Sequence, residues 1–405
     1  MWNSLNDVVV QDRVVTCYIS TWAVYRNGSG YFSMNHFDPK LCTHVIYAYA
    51  GLDAENNAIK SLDRWKDLKD NNGLGGFEKL VGMRNSNPNL KVMISIGGWS
   101  EGSVEYSKLA ANSQRRQLFA ENALRFLKWY GFDGLDINWE YPTQRGGKPY
   151  DRENFVLLIR ELSQKFSKNN FLLTSTIEPK HYTIDAYDIK NLVKYLDMLH
   201  IKSYDYAGSW SRKVGFNAPL KGNDANNIEF SIDHLIALGA PRNKIVLGIP
   251  FYGRTFITGT VPAKIGDPSE EIGFAGPHTN LKGYIGYNEI CAEFKAKPYL
   301  WQTSWNANAA EVIAQMQNGR RSQVIVYDST RSIALKVRYA VRKNLRGVMA
   351  LSIDTDDFNG ICNAEKDTFV DFRHQVNIPL PIQGKYKLLR TINDAIAVAD
   401  REFNQ

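Results

Sequence analysis

Between Asp133 and Pro142 the chain reads DGLDINWEYP, which sets three carboxylates, Asp133, Asp136 and Glu140, among mostly apolar and aromatic residues. Such a cluster is costly to bury unless it performs chemistry or forms ion pairs. The run has strand character, and successive strand side chains alternate in direction. Asp136, Asn138 and Glu140 therefore share one face, with Glu140 nearest the C-terminal end. Carboxylates stacked at this spacing repel one another and tend to raise the pKa of at least one, which keeps a proton available for general acid catalysis. An ion-paired strand end is the alternative reading of the same residues.

The scaffold that holds them is legible as alternation. Eight runs rich in β-branched and aromatic residues recur: RVVTCYIS from 13, THVIYAYA from 43, LKVMISIGG from 90, GFDGLDINWE from 131, NFLLTSTIEP from 170, LDMLHIKSYDY from 196, NKIVLGIPFYG from 243 and LRGVMALSID from 345. Between them lie helical faces such as Phe119, Ala123, Phe126 and Tyr130, and Phe155, Leu158, Ile159, Leu162 and Phe166, at spacings of three and four. Strands that are apolar nearly throughout belong to a parallel sheet covered by helices, and eight such units predict an α/β fold, a closed (β/α)8 TIM barrel. A doubly wound open sheet is the alternative, but no GxGxxG follows the first strand. The interval from 243 to 345 is far longer than one helix and two loops require, so a small α+β module is expected at 257–340, between the seventh and eighth strands. The barrel is then 13–256 and 341–395, with 1–12 and 396–405 as terminal extensions.

Composition narrows the function classes. The 405 residues are 44% hydrophobic, enough for a sizeable core, which excludes disordered and fibrous proteins. The net charge of +7 is interspersed without a basic block, so nucleic acid is not an expected partner. The uncharged run between Arg13 and Arg26 has 12 residues, too few to cross a bilayer. Cys17, Cys42, Cys291 and Cys362 lack CxxC spacing, which argues against zinc; they allow three disulfide pairings, or stand as buried thiols. Asn27-Gly28-Ser29 is a glycosylation triplet that agrees with export. The N-terminus lacks a positive region followed by an apolar run, so any export signal is removed or belongs to a longer precursor.

The run Asp133 to Pro142 resembles the DGxDxDWEYP signature of glycoside hydrolase family 18, the chitinases and chitinase-like lectins, in its arthropod type. SIGGWSEGS from Ser95 resembles the family's third-strand motif, IPFYGRTF from Ile249 its seventh strand, DTDDFNGIC from Asp354 the segment after the eighth, and YNEIC its insertion module. The resemblance implies disulfides Cys17 to Cys42 and Cys291 to Cys362, and secretion. It implies cleavage of β-1,4-linked N-acetylglucosamine with retention, the substrate's acetamido oxygen acting as nucleophile. Glu140 would be the acid and then the base, with Asp136 beside it, and Tyr204 with Asp205 would hold the acetamido group. Tyr141, Tyr252 and Arg254 would line the sugar site, and Tyr18, Trp22, Trp65, Gly98, Trp99 and Trp210 match or lie near cleft positions. For each tryptophan taken alone, core packing is an equal alternative to sugar stacking.

Three positions depart from the family pattern. Asn138 stands where the third aspartate belongs, and an amide accepts a hydrogen bond but neither ionises nor exchanges a proton. Losing a charge opposite a developing charge costs roughly 3 to 4 kcal/mol. Lys202 replaces a methionine two residues before Tyr204; by alternation its amine points into the same cavity and neutralises Asp136 or Glu140, or else it points sideways. Leu351 replaces the tryptophan that floors the subsite for the distorted sugar. The expected function is therefore binding of chitin or N-acetylglucosamine oligosaccharides with weak or no hydrolysis, the alternative being an active retaining chitinase. No metal, cofactor or membrane partner is implied, and a monomer or one domain of a larger secreted protein is expected.

Overall fold

The computed structural model describes residues 13–270, 272–362 and 384–403, together with the backbone of strands Thr368–Val370 and Asn377–Pro379. The expected extension 1–12 and part of the 341–395 segment lie outside the described residues. Eight parallel strands form the centre: β1 Val14–Ser20, β2 His44–Asp53, β3 Lys91–Gly97, β4 Gly134–Asn138, β5 Leu172–Ile177, β6 Met198–Ile201, β7 Ile245–Pro250 and β8 Gly347–Leu351. Each pairs with the next, and Cys17 of β1 stands opposite Val45 of β2 and Ala350 of β8, which closes the ring. All eight predicted strand runs are here. Apart from polar residues such as Ser95, Asp136, Asn138, Thr174 and His200 they are largely apolar, because both faces are covered. Tyr18, Ile46, Met93, Met198, Val246 and Met349 fill the inside, while Cys17, Val45, Ile94, Leu135 and Leu199 meet the helical layer.

The helices follow their sequence periods. Asn112 caps helix Ser113–Tyr130 by accepting from Arg115 N at 3.0 Å, and Gly131, at φ 78°, ends it in the left-handed region. Its buried Phe119, Ala120, Ala123 and Leu127 sit on one face, and the helix packs on Asp151–Phe166, which buries Phe155, Leu158, Ile159, Leu162 and Phe166.

A second sheet, antiparallel, interrupts the barrel between β7 and β8. Its strands are ordered Tyr284–Gly286, Tyr252–Thr258, Arg321–Tyr327, Glu311–Asn318 and Gln302–Asn306, with helix Tyr287–Ala296 alongside. Its bounds differ from 257–340. The sheet begins at Tyr252, with only Phe251 between it and β7, because Tyr252 pairs with Gly286 and Arg254 to Thr258 pair with Ser322 to Val326. Helix Thr330–Arg342 belongs to the barrel: its Ile333, Ala334 and Val337 are buried, and it contacts β7, β8 and the C-terminal helix. That last helix, Lys387–Phe403, runs through most of the expected extension 396–405. Ala399 is buried there, Asp400 pairs with Arg13 at 2.7 Å, and Glu402 pairs with Arg338. The disulfides are Cys17–Cys42 and Cys291–Cys362, the pairing implied by the resemblance.

Candidate active site

Strand register assembles the site around β4. Asp136 lies opposite Ser95 of β3 and Thr174 of β5, so both hydroxyls reach its carboxylate. Ser95 Oγ donates to Oδ2 at 2.7 Å, Thr174 Oγ1 to Oδ1 at 2.7 Å and Thr176 Oγ1 to Oδ2 at 2.9 Å. His200 Nδ1 of β6 stands 3.4 Å from Oδ1 and 3.2 Å from the Tyr18 hydroxyl, which also bonds Thr176 at 2.8 Å. Burial pushes the Asp136 carboxyl up, but the bonds from His200, Ser95 and Thr174 outweigh it and hold the group below its ordinary 3.8.

Asn138 lies one step nearer the mouth. Its Nδ2 donates to the Tyr49 hydroxyl at 3.2 Å, and its buried Oδ1 has no protein partner. Gly97, at φ 102°, lets the β3 backbone approach: a Cβ there would stand 2.2 Å from the Asn138 carbonyl oxygen. Gly98 N donates to that oxygen at 2.8 Å.

Glu140 is nearly buried, and Lys202 Nζ donates to its Oε1 at 2.8 Å. The lysine thus points inward, and its partner is Glu140 rather than Asp136. Burial pulls the Lys202 ammonium down, yet Glu140 and then Glu178 more than reverse this and leave it well above the ordinary lysine value. Beside it, Tyr204 is buried and meets the Tyr252 ring edge-on at 6.2 Å. Asp205 has the left-handed φ of 61°, and its Oδ1 accepts from the Tyr252 hydroxyl at 2.7 Å and from Arg254 Nε at 2.9 Å. Burial pushes the Asp205 carboxyl up, but Arg254 and then Lys180 hold it below its ordinary value.

The four tryptophans named from sequence are about half exposed. Trp22 stacks on Tyr49 at 6.3 Å and Trp65 on Tyr25 at 5.9 Å. Arg145 lies 3.7 Å over Trp99 and also donates to the Glu140 carbonyl, while Arg254 covers Trp210 at 4.9 Å. Leu351, half-buried, packs against the barrel-interior cluster that contains Tyr18, Tyr204 and Met349. Sequence reasoning missed two charged residues. Tyr141 donates its hydroxyl to Glu178, which also pairs with Lys180, and both are nearly buried at the exit of β5. The signal was available in Ile177-Glu178-Pro179-Lys180, since charged residues at a C-terminal strand end were the reason for choosing Glu140. Tyr49 and His200 were missed as well, because nothing in their own strands singles them out.

Comparison with known proteins agrees with this fold. The pattern of glycosyl hydrolases family 18 matches residues 14–356. Probable chitinase 2 of Drosophila melanogaster is 50% identical over 400 residues, covering 97% of this chain and 82% of the relative. The crystal structure of Ostrinia furnacalis Group IV chitinase in complex with allosamidin superposes with a TM-score of 0.86 at 35% identity, covering 96% of this chain and 100% of that one. Human YKL-39, described as a pseudo-chitinase with retained chitooligosaccharide binding properties, superposes at 0.81 with 30% identity, covering 95% and 100%. The family thus includes relatives named as chitinases and one named as a pseudo-chitinase. With its closed barrel, its Asp136-Asn138-Glu140 strand exit and a match over most of its length, the chain belongs to glycosyl hydrolases family 18.

Proposed function

We propose that this protein binds chitin or N-acetylglucosamine oligosaccharides in the cleft at the C-terminal ends of the barrel strands and hydrolyses them weakly or not at all. The observation that carries the reading is the ion pair between Lys202 and Glu140, 2.8 Å apart and both largely withdrawn from water. Glycoside cleavage needs a Glu140 carboxyl oxygen turned to the leaving oxygen, whereas Lys202 Nζ occupies its Oε1. Asn138 adds to the defect, since its amide supplies no negative charge against a developing oxazolinium ion. Binding is a separate matter. The Asn138 Oδ1 is a buried acceptor without a protein donor, suited to an acetamido N–H, and Trp22, Trp65, Trp99 and Trp210 offer half-exposed faces for pyranose rings. The two disulfides support secretion of the protein.

The intact donor set around Asp136 favours a second reading, a working retaining chitinase in which Glu140 suffices. One experiment separates the two: hydrolysis of a fluorogenic chitotrioside measured alongside retention on insoluble chitin. Retention without turnover is the expected result. Efficient turnover that disappears in Glu140→Gln would overturn the binding reading, and failure of both turnover and retention would remove the carbohydrate reading altogether.

A further inference from the structure

Asn27-Gly28-Ser29 is the single Asn-X-Ser/Thr triplet, with X other than proline, in the 405 residues. It lies in the loop that follows β1, on the same end of the barrel as Glu140. Asn27 is exposed, its backbone is extended at φ −89° and ψ 157°, and its side chain makes no capping bond to the Gly28–Gly30 turn. Ser29 is exposed too; its Oγ lies 2.9 Å from His278 Nε2, and its carbonyl accepts from Asn359 Nδ2 at 2.9 Å. Arg26, immediately before the triplet, pairs with Asp354 at 2.8 Å. The loop is thus fastened to the inserted module and to the segment after β8, while the Asn27 amide is left facing water. Two residues earlier Tyr25, half exposed, stacks on Trp65 at one edge of the aromatic cleft.

We propose that Asn27 is an N-linked glycosylation site and that its glycan stands beside the Tyr25 and Trp65 edge of the cleft. The proposal rests on the secretion reading, because the modifying machinery works on exported chains. In the transfer, the amide nitrogen of Asn27 attacks the anomeric carbon of a lipid-pyrophosphate-linked oligosaccharide. A C–N bond forms, the C–O bond to the pyrophosphate breaks, the pyrophosphate leaves on its lipid, and the amide gives up one proton. Nothing in the folded loop opposes the product: the side chain is exposed and carries no hydrogen bond that the sugar must replace. The first two sugars of such a glycan are β-1,4-linked N-acetylglucosamine, the unit that the neighbouring aromatic cleft is proposed to bind.

The test is secretion from insect cells, once as the native precursor and once behind an appended signal peptide, followed by peptide mass analysis before and after N-glycosidase in heavy-oxygen water. The expected result is conversion of Asn27 to labelled aspartate in both secreted products, loss of the glycan in Ser29→Ala, and its retention in Ser29→Thr. An unmodified Asn27 in the secreted wild-type chain overturns the proposal whether or not the serine variants fold, and so does a glycan that survives Ser29→Ala. Glycosylation behind the appended signal combined with intracellular retention of the native precursor would instead sink the secretion reading and leave the site standing.

Discussion

Replacing Lys202 by methionine removes the cation from Glu140 and keeps most of the side chain's length. At 2.8 Å the pair attracts by about 6 kcal/mol with an effective dielectric constant of ~20. Withdrawing both ions from water offsets much of that, so the pair acts chiefly by position, holding Glu140 Oε1 against Lys202 Nζ. A carboxyl oxygen turned to Lys202 is not turned to the leaving oxygen, and losing a positioned general acid costs about a hundredfold or more in rate. A carboxylate at 138 is worth roughly 3 to 4 kcal/mol in the transition state only in a subsite whose acid and sugar are both correctly placed, because residues that act as a unit are not additive. Asn138→Asp alone should therefore raise turnover only about tenfold or less, because Lys202 still holds Glu140 and Leu351 still lacks a flat stacking face. Combining Lys202→Met, Asn138→Asp and Leu351→Trp should restore turnover by more than about a thousandfold. The assay is kcat/KM for a fluorogenic chitotrioside across pH, with Glu140→Gln as background. A rescue above about a hundredfold by Asn138→Asp alone would refute the reasoning and make Asn138 the sole defect. An unchanged kcat/KM when Lys202→Met is added to Asn138→Asp and Leu351→Trp would show that the ion pair does not govern the acid.

Two further predictions concern stability. Asp356 accepts the backbone N–H groups of Leu388 and Leu389 at the start of the C-terminal helix, at 3.1 and 2.9 Å, and burial pushes its carboxyl up to about 7. The folded state then holds the proton more tightly than the unfolded chain, so this contribution is complete below about pH 4 and is lost as the pH rises to about 7, by up to ~4 kcal/mol. Chemical denaturation from pH 4 to 7 should show wild type losing stability relative to Asp356→Asn, and parallel curves would remove the assignment. Cys291–Cys362 closes a separation of 71 residues, and in the chain-entropy account its loss costs about 4 kcal/mol. Cys291→Ser should accordingly lower Tm by about 5 °C in calorimetry, given the unfolding entropy of a chain this long. No change would place the disulfide's effect outside the cooperative core.

Legibility followed the range of the interaction. The period-two reading of β4 put Asp136, Asn138 and Glu140 on one face, and the structure has Asp136 and Asn138 turned inward with Glu140 at the strand exit. The helical faces around Phe119 and Phe155 were equally direct, because helix period is a local property. The inserted module was visible as an excess of chain, but its bounds were not. Tyr252 follows β7 so closely that only its pairing with Gly286, and that of Arg254–Thr258 with Ser322–Val326, shows the chain to have changed sheets. Likewise the amphipathic pattern of Thr330–Arg342 says that the helix is buried on one face, not which sheet covers it.

The sequence by itself determined the eight-strand alternation and the carboxylate strand that carries Asp136, Asn138 and Glu140. Only the tertiary structure decided that Lys202 meets Glu140, that Glu178 and Lys180 stand at the next strand exit, and that Trp22, Trp65, Trp99 and Trp210 are half exposed. The physical reason is the same in each case. Alternation and helical spacing are set by neighbouring residues, whereas an ion pair or an exposed ring depends on which strands lie side by side. Lys202 and Glu140 are 62 residues apart in the chain. The register of β4, β5 and β6 around a closed ring brings them within hydrogen-bonding distance.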